Sequence, residues 1–265
     1  MSHTALTHVR FGEPEPGLFV LTIDRPPVNA LGRDLVRDLT LACDRLEAAA
    51  PGEMARAVVL AAAGKCFSAG ADLKERQGMS VLDVKEWVPI LSGMMTRVAS
   101  LPMPTIAVVA GVAAGGGMEL ALACDIRIAE EPATLGLRET ALAILPGAGG
   151  TQRLPRLIGP SRAKRWIFAA KMHTAREALA DGAVDQVVAA GDGMRAALAL
   201  ARLIAANGPV AVRLAKRAID DGFDLPIREA LEKERLCYEG VLPTQDRLEA
   251  LKAFLEKRAP VYKGR

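Results

Sequence analysis

Between Thr105 and Cys124 the chain runs for twenty residues with a single charge, Glu119, and three consecutive glycines, Gly115 to Gly117. A stretch this apolar leaves water, into either a bilayer or a protein core. A bilayer span would be poorly helical across the glycine triplet and would hold a carboxylate in hydrocarbon. The segment therefore reads as soluble core. TIAVVA (105–110) has the branched residues of a strand, and the stretch from about Gly116 to Cys124 reads as a short helix opened by the glycine turn.

The flanking segments say which core. LFVLTID (Leu18 to Asp24) and AVVLA (Ala57 to Ala61) read as strands, the first ended by Arg25-Pro26-Pro27, and DIRIA (Asp125 to Ala129) as another. Asp34 to Ala50 carries Leu35, Leu39, Ala42 and Leu46 at helical spacing. Gly64 to Gly70 reads as a loop. Residues 80 to 100 are helical in pattern, with Pro89 expected to kink or interrupt them. Strand alternating with helix predicts an α/β fold with parallel pairing. After Pro146 the pattern is mostly helical. Thr174 and Glu177 form a capping box, Gly182 stops that helix, and Val184 to Val188 reads as a last strand. Four helices follow from Gly193, the last starting near Thr244 and ending before Pro260. The expected division is an α/β core over 1–200 and a helical region over 201–265.

Composition excludes several functions. Lys plus Arg number 34 and Asp plus Glu 31, a net charge of +3 with no run of five like charges, so no basic arm for nucleic acid is expected. Cys43, Cys66, Cys124 and Cys237 are far apart with no C-x-x-C pair. Only His3, His8 and His173 accompany them, so no metal site is expected. MSHTALTHVRFGEPEP lacks a basic lead-in and an apolar core and does not read as a signal peptide. The expected location is the cytoplasm, or the mitochondrial matrix in a eukaryote, with no membrane partner.

The chain has no G-x-S-x-G elbow, no Walker-type loop and no G-x-G-x-x-G after a strand. Two small-residue turns remain. Phe67-Ser68-Ala69-Gly70-Ala71-Asp72 follows the strand at 57–61, and Gly115-Gly116-Gly117-Met118-Glu119 follows the strand at 105–110. Two backbone N–H groups from such turns, converging on one oxygen, would make an oxyanion hole; alternatively the glycines serve only tight turns. Glu119 and Glu139 each sit in apolar sequence, where burial raises a carboxyl pKa into a useful range. The competing reading for each is a salt bridge, for example to Arg127 or Arg138.

At these residues the chain resembles a known family. FSAGADLKE (67–75), GGGMELALACD (115–125) and PGAGGTQRLPRLIG (146–159) resemble, in order and spacing, three signature segments of the enoyl-CoA hydratase/isomerase, or crotonase, family. The resemblance implies a crotonase (ClpP-like) spiral of ββα turns with a C-terminal helical trimerisation region. It implies an acyl-CoA substrate, a homotrimer or a homohexamer of two trimers, and no cofactor beyond the coenzyme A carried by the substrate. It places the oxyanion hole at the N–H groups of Ala69 and Gly116, and makes Glu119 and Glu139 the catalytic pair. Possession of both acids points to a hydratase rather than an isomerase. Ala69, Gly70, Ala71, Asp72 and Leu73 would meet the CoA moiety, and Phe254 and Lys257 would reach a neighbouring subunit's CoA site.

Two positions depart from the family pattern. Arg138 stands where a small or apolar residue is common, and would either lower the Glu139 pKa or face solvent. The loop DRPPVNAL has prolines where a Lys is common, leaving Arg25 to meet the CoA phosphates. The tail TQDRLEALKAFLEKRAPVYKGR resembles methylglutaconyl-CoA hydratases, whose substrate ends in a carboxylate. The basic residues of the variable 76–100 region are Arg76, Lys85 and Arg97. Some relatives bind RNA through a lysine-rich helix. Here that stretch carries Arg33, Arg37 and Arg45 against Asp34, Asp38, Asp44 and Glu47, a balance that repels phosphates.

Overall fold

The computed structural model describes residues 6–49 and 55–265. His3, the first five residues of the N-terminal segment, and Ala50 at the end of the first expected helix lie outside the described residues.

The chain winds in turns: the first lays both its strands in a large sheet, and each of the next three lays one strand in that sheet and the following one in a small sheet. Strand β1 (Val9–Glu15) pairs antiparallel with β2 (Leu18–Ile23), and helix α1 (Arg33–Ala49) follows. Strands β3 (Ala57–Ala62) and β4 (Cys66–Ser68) precede α2 (Leu73–Gln77) and α3 (Val81–Ala99). Strands β5 (Thr105–Val109) and β6 (Val112–Ala114) lead into α4 (Gly116–Ala123). Strands β7 (Ile126–Glu130) and β8 (Thr134–Gly136) precede a 3₁₀ turn, Glu139–Leu142, then α5 (Gly150–Ile158), α6 (Pro160–Ala169), β9 (His173–Thr174), α7 (Ala175–Asp181) and β10 (Gln186–Val188). The six-stranded sheet has the order β1-β2-β3-β5-β7-β10 and the four-stranded sheet β4-β6-β8-β9. From β2 to β10 the large sheet is parallel. This is the spiral of ββα turns that the resemblance implies.

Both faces of the large sheet are buried, which is why its strands read as continuous apolar runs. Successive side chains of β3 point to opposite faces. Val58 and Leu60 join the main core with α1, α3 and α4, while Val59 and Ala61 join a second core under α8 (Gly193–Ala205). In β5, Ala107 and Val109 face the first core and Ile106 and Val108 the second. Helix α1 buries Leu35, Val36, Leu39, Ala42, Cys43 and Leu46, one face of a helix. Burial pushes the thiols of Cys43 and Cys124 up to about 12, as befits inert core residues. The Glu130 carboxylate accepts the Gly191 and Gly193 N–H groups and so holds the start of α8.

Several sequence expectations are corrected. The Gly64–Gly70 loop contains β4, and β6 and β8 were not foreseen, because three residues cannot display a period. Strand β1, VRFGEPE, is too polar to announce itself and depends on β2. Helix α3 runs through Pro89 without a break. The core boundary at 200 falls inside α8, whose Ala197 and Ala201 are both buried, so the helical tail begins only after Ala205. In that tail α9 (Pro209–Gly222) packs against α10 (Ile227–Val241), and α11 (Gln245–Glu256) is capped by Thr244. Helix α10 buries none of its residues. Among the described residues no single helix is long and apolar enough to cross a membrane.

Asp38 is the one acid on the buried face of α1, and it is fully enclosed. It accepts the N–H groups of Thr7 (2.6 Å) and His8 (2.7 Å) and pairs with Arg37 (3.0 Å), tying the chain before β1 to the helix. Asp38→Ala is expected to cost about 2 kcal/mol, read from the urea midpoint, because two amides lose a charged acceptor.

Candidate active site

The turn after β4 is held by the loop after β2. Asn29 adopts a left-handed conformation (φ 52°), and its amide donates to the carbonyls of Ala63 (3.0 Å) and Cys66 (2.7 Å). The Ser68 hydroxyl donates to Asn29 O (2.7 Å), and the Ala69 N–H donates to Val28 O (3.0 Å). Leu31 N–H donates to Gly70 O (2.7 Å). Arg25 completes the stitch, donating to Ala30 O (3.0 Å) and pairing with Asp72 (2.7 Å) and Glu75 (3.4 Å).

This stitch revises three sequence assignments. The Ala69 N–H is spent on Val28 O and is not available to a ligand. Gly70 N–H donates to Ser68 Oγ (3.2 Å), and the amide of this turn left without an acceptor among the described residues is that of Ala71, two residues on from Ala69. It lies beside Gly116, since a Cβ built on Gly116 would stand 3.6 Å from Ala71 N. Gly116 is the first residue of α4, so its own N–H has no acceptor within the helix. The pair of free donors is therefore Ala71 and Gly116. Asp72 caps α2, accepting from Lys74 N (3.0 Å) and Glu75 N (3.3 Å), and its carboxyl is held low, chiefly by the Arg25 hydrogen bond. Arg25 is thus neutralised within the fold and braces the turn rather than waiting for phosphates.

A cavity of about 330 Å³ opens beside these donors. Ala69, Gly70, Ala71, Leu73 and Gly116 line it, and so do Glu119 and Glu139. Glu119 projects from α4 and is 2% exposed. Its Oε1 accepts the N–H groups of Ala148 and Gly150, both at 2.8 Å. Burial nevertheless raises its pKa, the two N–H bonds and the charges of Arg153 and Arg76 opposing that rise. Glu139 stands at the start of the 3₁₀ turn, which Thr140 anchors by donating to Ile167 O of α6 (2.5 Å). Its Oε2 is buried without a hydrogen-bond partner. Burial first, and the Glu119 carboxylate second, push its pKa to about 7. Gly115, at φ 52°, makes room for this carboxyl, because a Cβ there would lie 2.8 Å from Glu139 Oε1.

The salt-bridge readings of the two acids fail. Arg127 pairs with Asp185 (2.9 Å) and donates to the Cys124 and Ala183 carbonyls. Arg138 lines the cavity but makes no ion pair with Glu139 among the described residues, and its guanidinium is not what sets that group's pKa. Arg97 is held by Asp44 (2.6 Å) and Glu47 (2.7 Å), away from the cavity, whereas Arg76 lines it. Phe254 is 82% exposed and Lys257 ends α11 in a left-handed conformation (φ 54°); neither lines the cavity. Sequence reading missed the role of Ala71 as the free donor and those of the Ala148 and Gly150 amides, while of the basic residues it named in 76–100 only Arg76 lines the cavity. A run of small residues does not say which amide the fold leaves free.

The chain is similar to known proteins along nearly its whole length. Residues 13–265 match the family described as enoyl-CoA hydratase/isomerase. The chain is 46% identical over 257 residues to the human mitochondrial methylglutaconyl-CoA hydratase, covering 95% of this chain and 75% of that one. It is 45% identical over 258 residues to the mouse mitochondrial enoyl-CoA hydratase domain-containing protein 2, covering 95% and 86%. The crystal structure of an enoyl-CoA hydratase from Bacillus anthracis superposes with a TM-score of 0.93 at 46% identity, over 98% of this chain and all of that one.

The raised pKa of Glu139 has a consequence for stability. The unfolded chain gives up this proton near 4.5, whereas the folded chain keeps it to about 7. Between those values the folded state binds more protons, so stability falls as pH rises and the loss is complete above about 7. Gln at 139 carries no such cost. Glu139→Gln is therefore expected to gain in Tm over the parent as pH is raised from about 5 to 8, reaching roughly 3 °C or more in a thermal melt.

Proposed function

The chain belongs to the enoyl-CoA hydratase/isomerase family, and we propose that within it this protein is a hydratase, adding water across the 2,3-double bond of a 2-enoyl-CoA thioester. The observation that carries the reading is the pairing of Glu119 and Glu139 on one cavity in unlike surroundings, beside two unspent N–H groups. An isomerase moves one proton along a chain and needs one acid–base group at a time. Hydration needs a base for water and an acid for carbon together.

In the proposed reaction the thioester oxygen sits on the N–H groups of Ala71 and Gly116. Both bonds strengthen as enolate charge develops there, so they favour the transition state over the bound substrate. Glu119, fixed by Ala148 and Gly150, takes a proton from water as the water oxygen bonds to C3. The π electrons shift toward the thioester, and C2 collects a proton from Glu139. The raised pKa of Glu139, about 7, leaves a large share of it protonated at neutral pH. Two carboxyls this strongly linked share one proton between them before and after turnover. Coenzyme A arrives and leaves as part of the substrate.

Assembly follows from the same reading. Helix α10 buries nothing, with Leu231, Leu236 and Tyr238 all more than half exposed, and Phe254 and Leu255 of α11 are bare. Covering such a surface with further copies of the chain supports a homotrimer or homohexamer, in which Phe254 and Lys257 reach a neighbour's CoA site. Light scattering is expected to give three or six times 28.0 kDa, and a monomer would overturn this part.

Loss of the conjugated-thioester absorbance on incubation with crotonyl-CoA tests the chemistry. Glu119→Gln and Glu139→Gln are each expected to lower kcat by about 10²–10⁴. Near-parental turnover in both would sink the mechanism. In the parent, kcat should fall on the alkaline side as Glu139 loses its proton, about pH 7. On the acid side it should fall above the ordinary glutamate range, because burial raises Glu119 as well.

A further inference from the structure

We propose that Arg153 is the positioning residue for Glu119: from outside the catalytic cavity, its guanidinium holds the peptide that links the two amides gripping the Glu119 carboxylate. This rests on the hydratase reading above, in which Glu119 takes the proton from water, and adds the group that keeps that base in place and ionised.

Arg153 lies on α5 and is half-buried. Its Nη1 donates to Ala148 O (3.0 Å), and it pairs with no carboxylate among the described residues. Arg156, three residues on, is exposed and is held by Asp224 (3.2 Å). Glu119 Oε1 accepts the N–H groups of Ala148 and Gly150. Between those two donors stands the Ala148–Gly149 peptide, and its oxygen is the one that Arg153 holds. Gly149 is bare because the guanidinium lies over it: a Cβ there would collide with Arg153 Nη1 and stand 3.0 Å from its Cζ. Gly150 is bare toward the acid, since a Cβ there would stand 3.1 Å from Glu119 Cγ. The 147–150 turn is thus packed by a carboxylate and a guanidinium at once.

Arg153 does not line the catalytic cavity. It lines a second cavity, of about 1020 Å³, that shares no wall residue with the first. It therefore acts on Glu119 through the turn and not through the substrate. The charges agree with the contacts. Burial raises the Glu119 pKa; against that stand the two N–H bonds, then the charge of Arg153, then that of Arg76. Burial lowers the Arg153 pKa in turn, and the Glu119 charge opposes that. Each ion offsets part of the desolvation of the other. Of the remaining titratable groups, Glu139 and Arg138 share the cavity with Glu119. Cys124 faces Arg153, but burial pushes its thiol up to about 12 and keeps it neutral. Arg76 stands on the wall that a substrate would meet, whereas Arg153 is fixed behind the turn and bears on Glu119 whether or not the cavity is filled.

The test compares Arg153→Met, Arg153→Gln and Arg153→Lys with the parent across a range of pH, with crotonyl-CoA as substrate. In Arg153→Met, kcat is expected to fall by about 10²-fold with KM unchanged, because a base out of place costs turnover and not binding. The acid limb of its kcat profile should move to higher pH, since Glu119 has lost its cation. Arg153→Gln keeps a donor for Ala148 O without the charge, so it should show the same displaced limb, and it carries the comparison if Arg153→Met does not fold. Arg153→Lys should bring the limb back toward the parent. Parental kcat in both neutral variants, or a loss of kcat with the acid limb unmoved, would overturn the proposal and leave Arg153 a residue of the fold alone. Carbon-13 NMR titration of the Glu119 carboxyl, assigned by its loss in Glu119→Gln, needs no turnover. If the parent does not hydrate crotonyl-CoA, the hydratase reading fails by itself. A Glu119 midpoint that rises in the neutral variants then still supports the positioning role, and one that stays in place refutes it.

Discussion

Everything at the site depends on two backbones coming closer than side chains allow. A Cβ on Gly117 would stand 2.1 Å from Ser68 O, and one on Gly70, itself at φ 89°, would stand 2.6 Å from Ala114 O. Real atoms cannot approach so closely, so the turns after β4 and β6 pack only because these positions are bare. That contact sets the Ala71 and Gly116 amides side by side. The spiral makes it possible, because β4 and β6 are neighbours in the small sheet while the strands before them, β3 and β5, are neighbours in the large one.

The same crowding governs the acids. Glu119 is almost wholly buried, and the fold answers its charge with two amide N–H groups on one oxygen. Glu139 receives no such support at Oε2 and sits within reach of its neighbour's charge. One carboxyl is thus made tolerable as an anion and the other is favoured as an acid, although both are glutamates in one cavity. The asymmetry comes from where α4 and the 3₁₀ turn begin, and from Gly115 leaving room for the Glu139 carboxyl.

Much of this was legible in the amino-acid order, for physical reasons that can be named. Strands buried on both faces, such as Ala57–Ala62 and Thr105–Val109, announce themselves as apolar runs, and α1 by its spacing of leucines. Glu119 stands out because an acid inside MELALAC must be answered by something. The three-residue strands were hidden, since a period cannot show in so few residues. The identity of the free amide was hidden too. Ala69 and Ala71 flank the same glycine and look alike in sequence, and only the Val28 carbonyl, forty-one residues earlier than Ala69, tells them apart. Arg25 was misjudged for a similar reason: its partners Asp72 and Glu75 are distant in the chain and near in space.

The stitch between the two loops also divides amides by their access to solvent exchange. The Ala69 and Leu31 N–H groups are locked in hydrogen bonds that open only if the loop after β2 lifts away. Those of Ala71 and Gly116 have no such lock and face the cavity. In the empty protein, deuterium should therefore reach these two amides of a rigid site quickly while those of Ala69 and Leu31 stay protonated. Occupation by a thioester would reverse that contrast. A protein usually protects its most ordered amides, but here the order of the frame serves to keep two of them uncommitted.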